Sequence, residues 1–270
     1  MRSLAIFLWW IFVIFTLVAI ACCIEAYIRY HRKRGIDTGD DLEQRYRYFV
    51  QSICDQNSRV VGYALLLREY DSQTHQWHLP EHVTDFPLSR VIMVIHELVP
   101  HLEPSIKFIT LNVTVSQVLD FRMDHFINWA QNVLGKRQLR FELGAKEILQ
   151  SSYFKQHRLN HQLKVIADLG VSVIIEDIDS SLRTYQVLRK FLPNVQYLKF
   201  KASAFNKSHD HWIDVTLGGW QKQAAQYHLQ MILEQVEESQ QDQLADQLKI
   251  PYRQGYFYDH PRDISHSNGN

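Results

Sequence analysis

Over residues 4–24 the chain carries no charged side chain, and nearly every position is apolar or aromatic. As a helix this stretch rises roughly 31 Å, about the thickness of a bilayer's hydrocarbon core, so residues 1–24 are expected to form a transmembrane anchor. Residues 25–44 switch to polar and charged side chains, with Gly35, Gly39 and the run Asp37-Thr38-Gly39-Asp40-Asp41, and read as a juxtamembrane linker. From 45 to 262 short apolar runs rich in branched residues alternate with segments of helical spacing. The runs 60–67, 108–111, 139–143, 171–175, 195–200 and 229–233 predict strands. Between them, Leu88, Val91, Ile92, Ile95, Leu98, Val99 and Leu102 form one apolar helical stripe, and Leu159, Leu163 and Ile166 a second. The polar end at 263–270 is expected to be a disordered tail.

Strands that alternate with helices imply parallel βαβ units, because a parallel pair needs a crossover long enough to hold a helix. Seven or eight such units in about 220 residues fit a (β/α)8-type barrel better than an open sheet. No glycine-rich nucleotide fingerprint follows the first of these strands, which counts against a dinucleotide-binding sheet. In a barrel of parallel strands the C-terminal strand ends share one rim, and that rim carries the chemistry. Here the apolar runs finish in Arg68, Asn112, Glu142, the pair Glu176-Asp177, Lys199 and Glu234. Carboxylates beside an amide oxygen suit a hard divalent cation such as magnesium or manganese, and a lysine beside them suits a phosphate or a polarised water. One charged residue at a strand end ordinarily marks only where the strand leaves the core; several in register point to a site.

Charge and composition narrow the partners. The formal net charge is +0, which gives no bulk electrostatic reason to expect a nucleic-acid polymer. Hydrophobic residues make up 46% of the chain, ample for a packed core. Cys22, Cys23 and Cys54 show neither metal-ligand spacing nor a disulfide framework, so a reducing compartment is expected. Arg2 stands alone before the apolar stretch, while Arg29, Arg32, Lys33 and Arg34 follow it. The positive-inside rule then makes this a single-pass protein of the cell membrane with its C-terminal domain in the cytoplasm. A cleaved signal would have its basic residues first and a shorter apolar run, and a lipoprotein signal ending at Cys22 would not be followed by a basic cluster. His75 and His78 fall in an expected loop, His209 and His211 flank Asp210, and no histidine pair has strand-end zinc spacing. Gln235, Gln240, Gln241, Gln243 and Gln247 read as the solvated face of a helix.

A family resemblance rests on short stretches that occur in order. Gly62-Tyr63-Ala64-Leu65-Leu66-Leu67-Arg68 resembles the Gly-x-Glu-Ala-Leu-Leu-Arg opening of EAL domains, the cyclic-di-GMP phosphodiesterase family. Leu111-Asn112-Val113-Thr114 resembles its Asn-Val-Ser segment, and Phe141-Glu142-Leu143-Gly144-Ala145 its Leu-Glu-Ile-Thr-Glu segment. Glu176-Asp177-Ile178-Asp179-Ser180-Ser181 falls where the family has Asp-Asp-Phe-Gly-Thr-Gly. Leu198-Lys199-Phe200-Lys201 is similar to Leu-Lys-Ile-Asp, and Glu234-Gln235-Val236-Glu237 to Glu-Gly-Val-Glu. Gln254-Gly255-Tyr256-Phe257, with Pro261 after it, resembles the closing Gln-Gly-Tyr segment. The resemblance implies a TIM-type (β/α)8 barrel that binds cyclic-di-GMP at the strand C-termini. Active members hydrolyse one phosphodiester to the linear dinucleotide with two divalent metals. By position it makes Asn112 and Glu142 metal ligands, Glu176 and Asp177 the counterpart of the family's aspartate pair, Lys199 the lysine beside the attacking water and Glu234 a further site carboxylate. Arg68 takes the place of the arginine that meets a ligand phosphate, and Gln254 that of the closing glutamine.

The departures are as specific as the matches. Ala64 stands at the signature glutamate and offers no metal-binding oxygen. Glu176 replaces an aspartate, Asp179 and Ser181 replace the glycines of the next loop, Lys201 replaces an acidic residue, and Ala145 lacks a carboxylate. A two-metal site that loses negative charge and gains positive charge should hold magnesium or manganese poorly. The expected function is therefore a catalytically inactive, membrane-anchored EAL-like regulator that binds cyclic-di-GMP or a protein partner, with homodimerisation among the expected interactions. The alternatives are a nucleotide-independent interaction platform and an active phosphodiesterase with a rearranged metal site.

Overall fold

The computed structural model describes residues 2–32, 46–80, 87–205 and 213–265. The expected linker beyond residue 32, the histidines at 209 and 211 and the tail 266–270 lie outside the described residues. The chain divides into two compact units, residues 1–42 and 43–270. The first holds a single helix, α1 (Arg2–Arg32), whose apolar side chains are spread around its whole circumference instead of gathering in one stripe. Its stretch Ile6–Tyr27, with mean hydropathy 2.7 and no buried residue, is long and apolar enough to cross a membrane. The helix continues through Glu25 to Arg32, so residues 25–32, read from the sequence as the start of the linker, are helical.

The second unit runs β1 (Tyr46–Cys54), β2 (Val60–Asp71), β3 (Gln76–His78), α2 (Leu88–Leu98), β4 (Phe108–Asn112), α3 (Val115–Val118), α4 (Met123–Leu134), β5 (Gln138–Gly144), α5 (Ala145–Gln150), α6 (Tyr153–Asp168), β6 (Ser172–Ile178), α7 (Leu182–Leu188), β7 (Tyr197–Lys201), α8 (Leu217–Gln226), β8 (Gln230–Glu234), α9 (Ser239–Gln247) and β9 (Tyr252–Gln254). Strands β1-β9-β8-β7-β6-β5-β4-β2 pair in that order, and β2 pairs back to β1, so eight strands close a barrel; β3 folds onto β2 as a hairpin. All six strands expected from the sequence are present. The expectation of parallel pairing throughout is corrected at β1, which runs antiparallel to both β2 and β9. The physical reason is the link between β1 and β2. It is too short for a crossover, and Asp55 Oδ1 turns it by accepting from the backbone N–H groups of Asn57 at 2.8 Å and Arg59 at 2.9 Å.

Side chains of each strand alternate between two cores. The outward set packs under the helices: Tyr48, Val50, Tyr63, Leu65, Ile109, Leu111, Phe141, Leu143, Ile175, Leu198 and Phe200 join the helical stripes in one continuous cluster. Within those stripes Leu88, Val91, Ile95 and Leu98 of α2 and Leu159, Leu163 and Ile166 of α6 are buried. The inward set is smaller and mixed. Ile53, Val61, Ala64 and Phe108 form one apolar group, and Ile174, Tyr197 and Ile232 another, with Tyr252 packed on both. Above them the inward positions become polar. Sequence reasoning read the glutamine-rich helix as a solvated face, and α9 indeed buries only Ala245. It is fastened, though, by Arg253 of β9, whose side chain is 1% exposed and pairs with both Asp242, at 2.7 Å, and Asp246.

Gly255 follows β9 at a point where the chain has no room for a side chain. A Cβ there would lie 2.1 Å from the Val236 carbonyl oxygen and 2.3 Å from the Val236 nitrogen. Backbone atoms cannot yield as a flexible side chain can, so Gly255→Ala is expected to cost about 3 kcal/mol. In a thermal melt the midpoint should fall by roughly 5–10 °C, and an unchanged midpoint would show that the two segments are not in contact.

Candidate functional site

A cavity of about 480 Å³ opens at the end of the barrel where the parallel strands finish. All eight side chains singled out from the sequence line it: Arg68 from β2, Asn112 from β4, Glu142 from β5, Glu176 and Asp177 from β6, Lys199 from β7, Glu234 from β8 and Gln254 from β9. Seven of them converge because they sit on the inward face at or near the end of their strands; Asp177, next to Glu176, reaches the rim through its left-handed backbone. Leu79, Gln51, Lys201, Glu237 and Tyr256 complete much of the wall.

Lys199 is the centre of the cluster. Its Nζ donates to Glu142 Oε2 at 2.9 Å and lies 3.4 Å from Glu234 Oε2 and 3.6 Å from Glu176 Oε2. Burial alone would lower the lysine's pKa; the three carboxylates outweigh it and hold the ammonium above its ordinary value. Glu176 is pushed well above the usual glutamate value, first by burial and then by Glu142, with Lys199 opposing. Glu234 is raised too, again chiefly by burial, and Lys199 counters part of the rise. One oxygen each of Glu142 and Glu234, both Oε1, and Oε1 of Gln254 are buried without a hydrogen-bond donor among the described residues. The other end of the Gln254 amide is fixed, donating to Gln51 Oε1 at 2.8 Å.

The second cation is Lys201, whose Nζ lies 2.7 Å from Asp177 Oδ1. Asp177 adopts a left-handed backbone with φ of 56°, and Gln235, just after Glu234, does the same at 55°. Left-handed backbone in non-glycine residues gathers where side chains must be aimed, and both positions turn the chain directly after a cluster carboxylate. The loop after β6 is built by its own polar side chains. Asp179 Oδ1 accepts from the Ser181 N–H at 2.9 Å and the Ser181 hydroxyl at 2.8 Å, and Ser181 caps α7 by accepting from the Thr184 N–H at 3.2 Å.

A divalent metal fits these residues badly. Ala64 is buried beside Ile53, Val61 and Phe108 and does not line the cavity, so no oxygen occupies its place. The carboxylates that could coordinate a cation already converge on two ammonium groups. Among the described residues no group of three or more His, Cys, Asp or Glu side chains is arranged to hold a metal ion. Arg68 differs from the lysines. Its Nη1 donates to the Leu67 carbonyl at 3.0 Å, and it forms no ion pair among the described residues, so its guanidinium remains available to an anion in the cavity. Burial lowers its pKa, and Tyr256 opposes the shift. Sequence reasoning passed over Gln51, which holds Gln254. The signal was there, as a glutamine inside the run Tyr46–Cys54, but that run was not recognised as a strand.

The family model of the EAL domain matches residues 41–261. This chain belongs to the EAL domain family. Its barrel is similar to that of the Bacillus subtilis YkuI protein with an EAL domain, in complex with its substrate c-di-GMP and calcium, at a TM-score of 0.63 and 17% identity. That match covers 82% of this chain and 55% of the YkuI chain. The Xanthomonas citri FimX EAL domain in complex with c-di-GMP superposes at a TM-score of 0.65 and 16% identity, covering 93% of this chain and 99% of that one. The FimX EAL domain from Pseudomonas aeruginosa bound to c-di-GMP gives 0.63 and 17%, covering 83% and 94%. Identities this low establish the shared fold alone. No curated protein matches the chain.

Proposed function

We propose that this EAL domain binds cyclic-di-GMP without hydrolysing it and is held at the membrane by α1. The observation that carries the reading is the pairing of Asp177 with Lys201 and of three glutamates with Lys199. Tethered ammonium groups supply the positive charge to the carboxylates, and the carboxylate missing at Ala64 weakens any claim of a metal on the same oxygens. Two-metal hydrolysis needs cations free to activate water and to stabilise the leaving oxygen, which an alkyl ammonium does poorly.

Ligand recognition asks less of the site. Arg68 offers a guanidinium to a phosphate, and the unpaired acceptors on Glu142, Glu234 and Gln254 call for N–H or O–H donors. A guanine dinucleotide brings both, with phosphate oxygens for the arginine and base and ribose donors for the acceptors. Exposed Tyr256, with its ring stacked on His260 at 4.4 Å, adds an aromatic face at the rim. The membrane part of the proposal rests on Ile6–Tyr27 and on the basic residues that follow it. Recovery of the full-length chain in the soluble fraction of lysed cells would remove it.

The test is calorimetric titration of cyclic-di-GMP into the purified full-length chain in detergent, with and without magnesium and manganese, followed by chromatography for the linear product. Saturable binding without product is expected, and Arg68→Ala should weaken it at least about tenfold. Linear product that Lys199→Ala abolishes would overturn the inactive reading. Absence of binding under every metal condition would leave the barrel as a platform for a protein partner.

A further inference from the structure

The barrel has a second cavity at its other end, where the strands begin. It measures about 330 Å³ and is lined by Asp55, Lys107, Phe108, Lys136, Arg140 and Tyr252 with their neighbours. Arg140 points inward from β5 and is 4% exposed. Its guanidinium stacks over Phe108 at 3.4 Å and over Tyr197 at 4.4 Å, with the Tyr252 ring at 5.5 Å. Nη2 donates to Gln138 Oε1 at 3.3 Å, while Nε and Nη1 are buried with no hydrogen-bond acceptor among the described residues. No carboxylate pairs with it among the described residues. Burial lowers its pKa from the ordinary arginine value, Tyr197 and Tyr252 oppose the shift, and an arginine keeps its charge in such a setting.

A buried guanidinium with unused N–H groups beside a cavity is incomplete by the ordinary rule that buried charge is paired. The aromatic rings cover its faces and leave the edges; Nε–H and Nη1–H stand on different edges, each beside an Nη2 proton, and either can donate to an oxygen of a carboxylate or phosphate. Lys107 and Lys136 are exposed and line the same cavity. Asp55 is the one acidic side chain in the lining, and its Oδ1 is already taken by the turn N–H groups of Asn57 and Arg59. Three cations against one carboxylate favour an anion, and the volume lies at the lower end of small-molecule sites. We propose that this cavity is an anion site for a small oxyanion of the phosphate class, with Arg140 as its floor and Lys107 and Lys136 as its positive lining.

The experiment is calorimetric titration of inorganic phosphate into the full-length chain in neutral detergent, with ionic strength held constant by sodium chloride. Saturable binding is expected in the wild type and in Arg68→Ala, which disables the anion partner of the cyclic-di-GMP cavity. Lys107→Gln with Lys136→Gln should weaken binding about tenfold or more, and Arg140→Gln should abolish it. Both lysines are exposed, so their double variant keeps the fold even where the arginine variant loses it. Titration of a nucleoside monophosphate into Arg68→Ala distinguishes the sources: binding tighter than that of inorganic phosphate assigns the site to an esterified phosphate, and weaker binding assigns it to the free ion. The proposal is overturned by absence of saturable binding in the wild type, by its loss in Arg68→Ala, or by unchanged affinity in the lysine double variant.

Discussion

Ala64→Glu combined with Lys201→Asp is expected to give the barrel the divalent-cation binding that the proposed inactive site lacks. The first change places a carboxylate on the inward face of β2, two residues below Leu66 on the side that reaches Arg68. The second removes the ammonium that lies 2.7 Å from Asp177 and adds an oxygen in its place. Together they move the net charge of the site by three units towards negative, and a hard cation answers such a change strongly. At a metal concentration about a hundred times the dissociation constant, binding to the folded state alone adds about 2.7 kcal/mol. For a domain of this size that is a rise of about 5–10 °C in the melting temperature with manganese over chelator. The wild type should melt at one temperature in both. A wild-type melt that rises with manganese would mean that a metal can displace the lysines, and the inactive reading would fall with it.

Lys199→Met is expected to produce the largest loss of stability of any single change at the site. It leaves Glu142 and Glu176 without the ammonium they converge on and Glu234 with only the more distant Lys201, in a largely buried cluster. Removing one partner of a buried ion cluster costs about 3–5 kcal/mol, which is roughly 10 °C of melting temperature here. The pH dependence carries the sign. Burial raises Glu176 and Glu234 above their usual value of 4.5 in the folded protein, and Lys199 restrains both. An acid whose folded pKa lies above its unfolded one holds a proton that the unfolded chain gives up, so stability falls as pH rises from about 4.5 towards the folded value. Without the lysine the rise is larger, and the fall with rising pH should steepen above the usual glutamate value of 4.5. A melt of Lys199→Met equal to the wild type above that value would show that the three glutamates do not depend on the ammonium.

The barrel was largely legible in the sequence, because parallel strands buried on both faces read as short apolar runs and helices as spaced stripes. β1 was not, since Arg47, Gln51 and Ser52 interrupt its apolar pattern. The structure explains each interruption: Arg47 pairs with Asp263 at 3.0 Å, Gln51 lines the cavity, and Ser52 donates to Asp259 at 2.6 Å. These partners lie some two hundred residues away, where no local pattern can reveal them. β9, at Tyr252–Gln254, is too short for periodicity. The ligand cavity was legible because its side chains stand at strand ends, which composition marks plainly. Its charge pairing was less so: Lys201 read as a positive charge at the site in place of an acidic one, but its pairing with Asp177 depends on the turn of the backbone there. Arg140 left no signal, because its cage is assembled from Phe108, Tyr197 and Tyr252 on three separate strands.

The closing of the barrel by β1 also sets the order in which the protein can be completed. β1 pairs with β9 through Ile53 and Gln254, and its backbone bonds again to Arg262 at Val50, while β9 is made only after the other seven strands of the barrel. Until then one edge of β1 and one of β8 carry unpaired N–H and C=O groups, a template for adding strands from other chains. Contacts of such long sequence separation form late and slowly, because the loop they close is nearly the whole domain. A nascent chain of this kind stays an open sheet with exposed edges until β9 has been made. Premature termination before Tyr252 would make that state permanent, so truncated products should be prone to aggregation and quickly degraded.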